Sequence, residues 1–116
     1  MTADKRRTVR RPASAARGSG VAGKVVVQNI NHPGTHRFVD AAKYGAMRRA
    51  ILQVLPSRAP GLTLADALTA ALPHLPTSLF PGGAHVGWWF KTVQLDLEVN
   101  RAIAREKTIP LRVHRL

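Results

Sequence analysis

The sequence predicts an α+β domain in which three helices are preceded by one extra strand and followed by a C-terminal β-hairpin. Three observations carry this. Apolar residues recur at helical spacing over residues 38–55, 63–72 and 84–101, three consecutive valines mark residues 24–30, and the period shortens to two after Arg101.

The first strand, KVVVQNI, rests on its β-branched run and is closed by Asn31, His32, Pro33 and Gly34, all turn formers. In the first helix Asp40 is the N-cap, Tyr44, Met47, Ile51 and Leu55 form the inward stripe, and Pro56 stops the helix. Thr63-Leu64-Ala65-Asp66 reads as a capping box opening a short second helix, which ends before Pro73. Leu75, Leu79 and Phe80 make residues 73–83 too apolar for an outer loop, so this segment is expected to cross the core. Gly82 and Gly83 then give conformational freedom to a tight helix entry.

The third helix is the most informative stretch. At about 100° per residue, Val86, Trp89, Phe90, Val93 and Leu97 fall on one face. Trp88, Thr92, Leu95 and Val99 make a second, mostly apolar stripe. Lys91, Gln94, Glu98 and Arg101 form a narrow polar strip between the two. Such a helix needs partners on two sides. After it, residues 102–106 and 111–115 alternate around Lys107 to Pro110, a hairpin with Ile103, Leu111 and Val113 inward and Arg112 and His114 outward.

The order helix, short helix, long helix, hairpin is that of a winged helix-turn-helix domain, and Leu97-Glu98 followed by Ile103 resembles the ending common before wings. Two features depart from that pattern. The connection between helices two and three spans about ten residues where three or four are usual, and Arg101 stands where glycine is common. The phrases VQNINHPG, VDAAKYGAMRRAILQVLP, LPHLPTSLFPGGA and GWWFKTVQLDLE also resemble a small bacterial family of uncharacterised proteins carrying a domain of unknown function. That resemblance covers about residues 25–116. It implies a compact winged-helix-like fold and no activity.

With 116 residues the chain has room for one domain. The domain is expected over residues 24–116, behind a disordered basic tail at residues 1–23 that lacks periodicity and core-forming residues. The net charge is +12; seven bases and one acid place +6 in residues 1–24, and eleven bases and five acids place +6 in the rest. Cysteine is absent, which excludes disulfides, thiolate metal sites and a cysteine nucleophile and suits a cytoplasmic location. No apolar run is long enough to span a membrane.

Charge makes DNA or another polyanion the first expected partner. In that reading Lys91, Gln94 and Arg101 reach bases or phosphates from the third helix, and Arg105, Lys107 and Arg112 grip backbone from the hairpin. Arg6, Arg7, Arg10 and Arg11 add a sequence-blind hold from the tail. A solubilising appendage is the competing reading of the tail. The alternative function is a protein-interaction or dimerisation module built on Trp88, Leu95 and Val99, because aromatic residues anchor interfaces. Cover within one chain is the third option for that stripe.

Catalysis is not expected. The five histidines show no metal-ligand spacing, the six acids include two expected caps and no acid–base pair, and Ser57 and Ser78 sit in linkers. No cofactor or metal is implied. Gly82-Gly83 with Lys91 two turns on offers a candidate anion site at a helix N-terminus, against the plainer explanation of a tight entry.

Overall fold

The structure is a computed structural model and describes residues 23–116. Lys24–Val27 (β1) and Arg37–Asp40 (β2) form an antiparallel hairpin in which Val25 lies opposite Val39 and Val26 opposite Phe38. Helix α1 (Ala41–Val54) starts directly after it, and Asp40 caps it by accepting from the Lys43 N–H at 2.9 Å. A two-residue strand, Leu62–Thr63 (β3), leads into α2 (Leu64–Ala71), where Thr63 Oγ1 accepts from the Asp66 N–H at 3.1 Å. Two 3₁₀ turns follow, at Leu72–His74 and Pro81–Gly83. Then come α3 (Val86–Val99), β4 (Ile103–Glu106) and β5 (Arg112–Arg115).

The expected α+β class, with three helices and a C-terminal strand pair, is what the structure has, and it carries two sheets. The second sheet runs β3–β5–β4, antiparallel throughout. Its tight point is Gly61, at φ 88°, where an added Cβ would stand 1.9 Å from the Val113 carbonyl oxygen. Only glycine lets β3 come that close to β5.

The core forms where α1, α3 and this sheet meet. Met47, Ile51 and Leu55 pack with Val93, Leu97, Ile103 and Val113, and Phe80 closes the cluster while Leu75 and Leu79 lie against it. The segment between α2 and α3 thus crosses the core as its apolar residues require.

Four expectations are corrected. The first strand stops at Val27, not Ile30, because residues 28–36 turn the chain back. Residues 38–40, which open the segment of helical spacing over 38–55, belong to β2, while α1 begins after its expected cap at Asp40: with Val25 and Val26 available opposite, Val39 and Phe38 complete strand pairs that a helix would forgo. His114 is buried and not outward, its ring held against Glu106. On α3, the strip between the two apolar stripes is not solvated. Lys91 and Arg101 are exposed at its ends, but Gln94 is 1% exposed and Glu98 is also buried. The cause is Arg105 of β4, whose Nε lies 2.5 Å from Glu98 Oε1, while Gln94 Nε2 donates to Glu98 Oε2.

A second polar knot lies deeper. The Asp96 carboxylate, fully buried in α3, accepts from the Gln28 N–H (2.9 Å), from Tyr44 of α1 (2.5 Å) and from Asn100 Nδ2 (3.0 Å). One side chain therefore fastens the chain just after β1, the first turn of α1 and the exit of α3. Beyond Asn100 the helix closes with two reversed bonds, Arg101 N–H to Glu98 O (3.2 Å) and Ala102 N–H to Leu97 O (3.0 Å). This pair is the Schellman motif, and it puts Arg101 at φ 60°, where glycine is usual.

Two stability outcomes follow from these contacts. Replacing Asp96 by Ala removes the acceptor of the half-buried Gln28 N–H and of the buried Tyr44 hydroxyl and opens a cavity beside them, and is expected to cost about 3 kcal/mol in chemical denaturation; a loss below about 1 kcal/mol would mean that the knot is not stabilising. Arg101→Gly relieves the left-handed residue and is expected to add about 1 kcal/mol, a rise of roughly 5 °C in Tm. An unchanged or lower Tm would disprove strain at this position.

Candidate functional site

A recess of about 520 Å³ lies between the β1–β2 turn and the Trp88–Leu95 stretch of α3. Asp96 sets its position, because its bond to the Gln28 N–H pins the start of the turn to the helix. The turn then organises itself. Asn29 Oδ1 accepts from the Asn31 N–H at 2.8 Å, the Asn29 carbonyl accepts from the His32 N–H at 3.0 Å, and Thr35 Oγ1 donates to the His32 carbonyl at 2.8 Å. These local bonds give a nine-residue connection a fixed course without a core of its own.

The helix side of the recess is made by Trp88, Lys91, Thr92 and Leu95. Leu95 is 5% exposed and forms part of the floor, while Trp88 is 44% exposed. The Trp88 indole is not loose. Its ring meets Trp89 edge-on at 5.1 Å between centroids, and Trp89 meets Phe80 edge-on at 6.4 Å. An aromatic column thus runs from the core to the mouth of the recess, and the Arg37 guanidinium sits over its outermost ring at 5.8 Å.

The electrostatics are one-sided. Arg37, Lys91, His32 and His36 border the recess, and no carboxylate lines it. The imbalance extends over the described surface. Lys24, Arg37, Arg49, Arg58, Lys91, Arg101, Lys107 and Arg115 are exposed, whereas Asp66 is the one exposed acid among the described residues. The other acids face inward tasks: Asp40 caps α1, Asp96 and Glu98 are buried, and Glu106 holds His114. Such a surface attracts anions, and the recess adds an aromatic face and several amide and hydroxyl groups.

The residues expected from sequence are dispersed. Lys91 is in the recess, and Gln94 is interior with its amide donated to Glu98, so it has no route to an outside ligand. Arg101 is exposed beside a shallower hollow, about 330 Å³, that Arg105 also borders. Arg105 is committed to Glu98, and this ion pair holds its guanidinium above its ordinary pKa. Arg112 donates to the Gly61 carbonyl at 3.0 Å, and Lys107 is free at the β4–β5 turn. Arg6, Arg7, Arg10 and Arg11 lie outside the described residues. Trp88 and Leu95 share the recess, one at its mouth and one in its floor, while Val99 is half-buried away from its lining.

Sequence reading missed the turn contribution, Gln28, Asn29, His32, His36 and Arg37. Arg37-Phe38-Val39-Asp40 reads polar, apolar, apolar, polar, so no period-two pattern marks this strand in the sequence. The suggested anion site at Gly82-Gly83 is not formed. The Gly83 N–H donates to the Phe80 carbonyl at 3.0 Å, and α3 begins three residues later.

Across the hairpin, His114 has both ring nitrogens on acceptors, Nε2 on Glu106 Oε2 and Nδ1 on the Arg115 carbonyl, each at 3.0 Å. A protonated ring satisfies both at once. The bond to Glu106 chiefly, then that to Arg115, raises its pKa above the usual 6.5. A raised folded pKa gives stability that is complete below about pH 6.5 and lost as pH climbs through the folded value. The denaturation midpoint is therefore expected to be higher at about pH 6 than at about pH 8. Glu106→Gln should narrow the difference, and a gap that Glu106→Gln leaves intact would show that His114 is not its source.

Comparison with known proteins adds one match. The model of a family of unknown function (DUF6958) matches residues 24–113. No curated protein and no solved structure matches the chain. Among the described residues no helix is long and apolar enough to cross a membrane, and no three metal-ligating side chains gather as a site.

Proposed function

The chain belongs to that family of unknown function, and from the surface of the matched span we propose that it is a non-enzymatic, nucleic-acid-associated protein with a winged-helix-like arrangement. The arrangement is favoured by element order: α1, β3, α2, α3, β4, β5 with sheet order β3–β5–β4 places a short strand between the first two helices and joins it to the C-terminal hairpin. The observation that carries the functional reading is the surface charge, eight exposed bases against one exposed acid among the described residues. Concentrated positive charge binds phosphate backbones by releasing condensed counterions.

The mode differs from that of a helix laid in the major groove. A recognition helix needs its outer side clear over its length. In α3, the bond from Gln28, just after β1, to Asp96 ties the N-terminal hairpin to the C-terminal half, where Leu95 is buried, and Trp88, Lys91 and Thr92 line the recess. Contact is therefore centred on the N-terminal half of α3 and the β1–β2 turn, with Arg101 and Lys107 as outlying phosphate contacts.

Fluorescence anisotropy of the full chain with labelled DNA tests this. Affinity is expected to fall tenfold or more between roughly 50 and 200 mM salt. The double reversal Arg37→Glu with Lys91→Glu should weaken binding about tenfold at the lower salt, because it removes two phosphate contacts and adds repulsion. Absence of binding at low salt, or full affinity in a correctly folded double variant, would defeat the proposal.

A further inference from the structure

We propose that the recess between the β1–β2 turn and α3 seats one unpaired nucleotide, its base against Trp88 and its phosphate on Lys91 and Arg37. This deepens the nucleic-acid reading and rests on it.

Shape argues first. A duplex groove is entered by something convex, whereas this part of the molecule is a hollow of about 520 Å³, within the roughly 300–1,000 Å³ range of pockets that hold small organic ligands. The closed C-terminal half of α3 removes the ridge that a paired helix would need. An unpaired base is the part of a nucleic acid that can enter a hollow.

The walls supply what a nucleotide needs. Trp88 offers a large exposed ring, and its edge-on support from Trp89, itself propped on Phe80, keeps that ring in place before a ligand arrives. Rigidity of this kind lowers the ordering cost of binding. The Arg37 guanidinium lies over the same ring, and an arginine plane is itself a stacking surface for bases. Lys91, one turn beyond Trp88 on the same helix side, and Arg37 place cations at the mouth. Asn31 and Thr92 supply amide and hydroxyl groups suited to the edges of a base. The absence of carboxylates from the lining removes the groups that would repel a phosphate.

A bare anion site would not require the propped indole, and an apolar ligand would not be met by four cationic or titratable side chains. A planar base joined to a phosphate satisfies both halves of the recess. The same chemistry is offered by a single strand and by a free nucleotide.

The test uses the full chain and tryptophan emission. An oligothymidylate of about ten residues is titrated beside a strand of equal length and charge lacking bases, a duplex, and thymidine monophosphate. The base-bearing strand is expected to quench emission and to bind about tenfold more tightly than the abasic one. Trp88→Ala should abolish both the quenching and the preference, and Trp88→Phe should keep most of the preference; circular dichroism checks that both variants fold. Quenching by the monophosphate alone would identify a free nucleotide as a sufficient occupant, and quenching by the strand alone would identify a strand. Equal affinity for base-bearing and abasic strands, or a duplex bound and quenching as well as the single strand, overturns the inference and leaves the polyanion reading standing. No binding of any of these polyanions at low salt removes both.

Discussion

The fold turns on one buried carboxylate. Asp96 has no exposed surface, and the groups it accepts from belong to three elements that are far apart in sequence: Gln28 after β1, Tyr44 in α1 and Asn100 at the exit of α3. A buried carboxylate is costly unless its oxygens are matched, and so is the buried Tyr44 hydroxyl, so Asp96 stabilises the fold only when its donors are assembled around it. Apolar packing between α1 and α3 brings these helices into contact. It does not by itself fix where the N-terminal hairpin lies along α3. The bond from the Gln28 N–H fixes it, and with it the height of the β1–β2 turn over Trp88.

This placement determines which part of α3 meets the outside. The helix is closed on its core face by α1 and the aromatic column, on its polar strip by β4 through Glu98 and Arg105, and on its second apolar stripe by the hairpin as far as Leu95. What remains uncovered is its N-terminal half. The recess is the region that these three covers leave open, and its exposed indole is braced by the same rings that complete the core.

Much of this was readable before any coordinates, and the limits were specific. The core stripe Val86, Trp89, Phe90, Val93 and Leu97 is plain because periodicity reports directly on a face that must leave water. The caps at Asp40 and Thr63 are equally plain, since each works through N–H groups within three residues. The polar strip was misplaced because Gln94 and Glu98 look like solvated residues until a distant arginine arrives. Arg105 follows Glu98 by seven residues across a chain reversal, so the two lie in different elements and no single-element periodicity relates them. Strand β2 was hidden for a related reason. Phe38 and Val39 suit either state, and the choice lies with Val25 and Val26, more than ten residues away. The recess combines both difficulties, because half of it comes from a turn whose position depends on Asp96.

The internal role of the acids explains the outward character of the domain. Of the five described carboxylates, one caps a helix, two are buried in knots and one grips His114, which leaves Asp66 in the open. The eight exposed bases keep their charge at the surface, Arg115 included although its Nε donates to the Leu55 carbonyl, so positive potential is a consequence of how this chain uses its few acids as well as of its composition. A field of that kind brings polyanions to the surface without selecting among them. Selection requires a feature that a phosphate backbone alone does not satisfy. Among the described residues, the braced indole under Arg37 is such a feature, and it lies at the one stretch of α3 that the rest of the fold leaves uncovered.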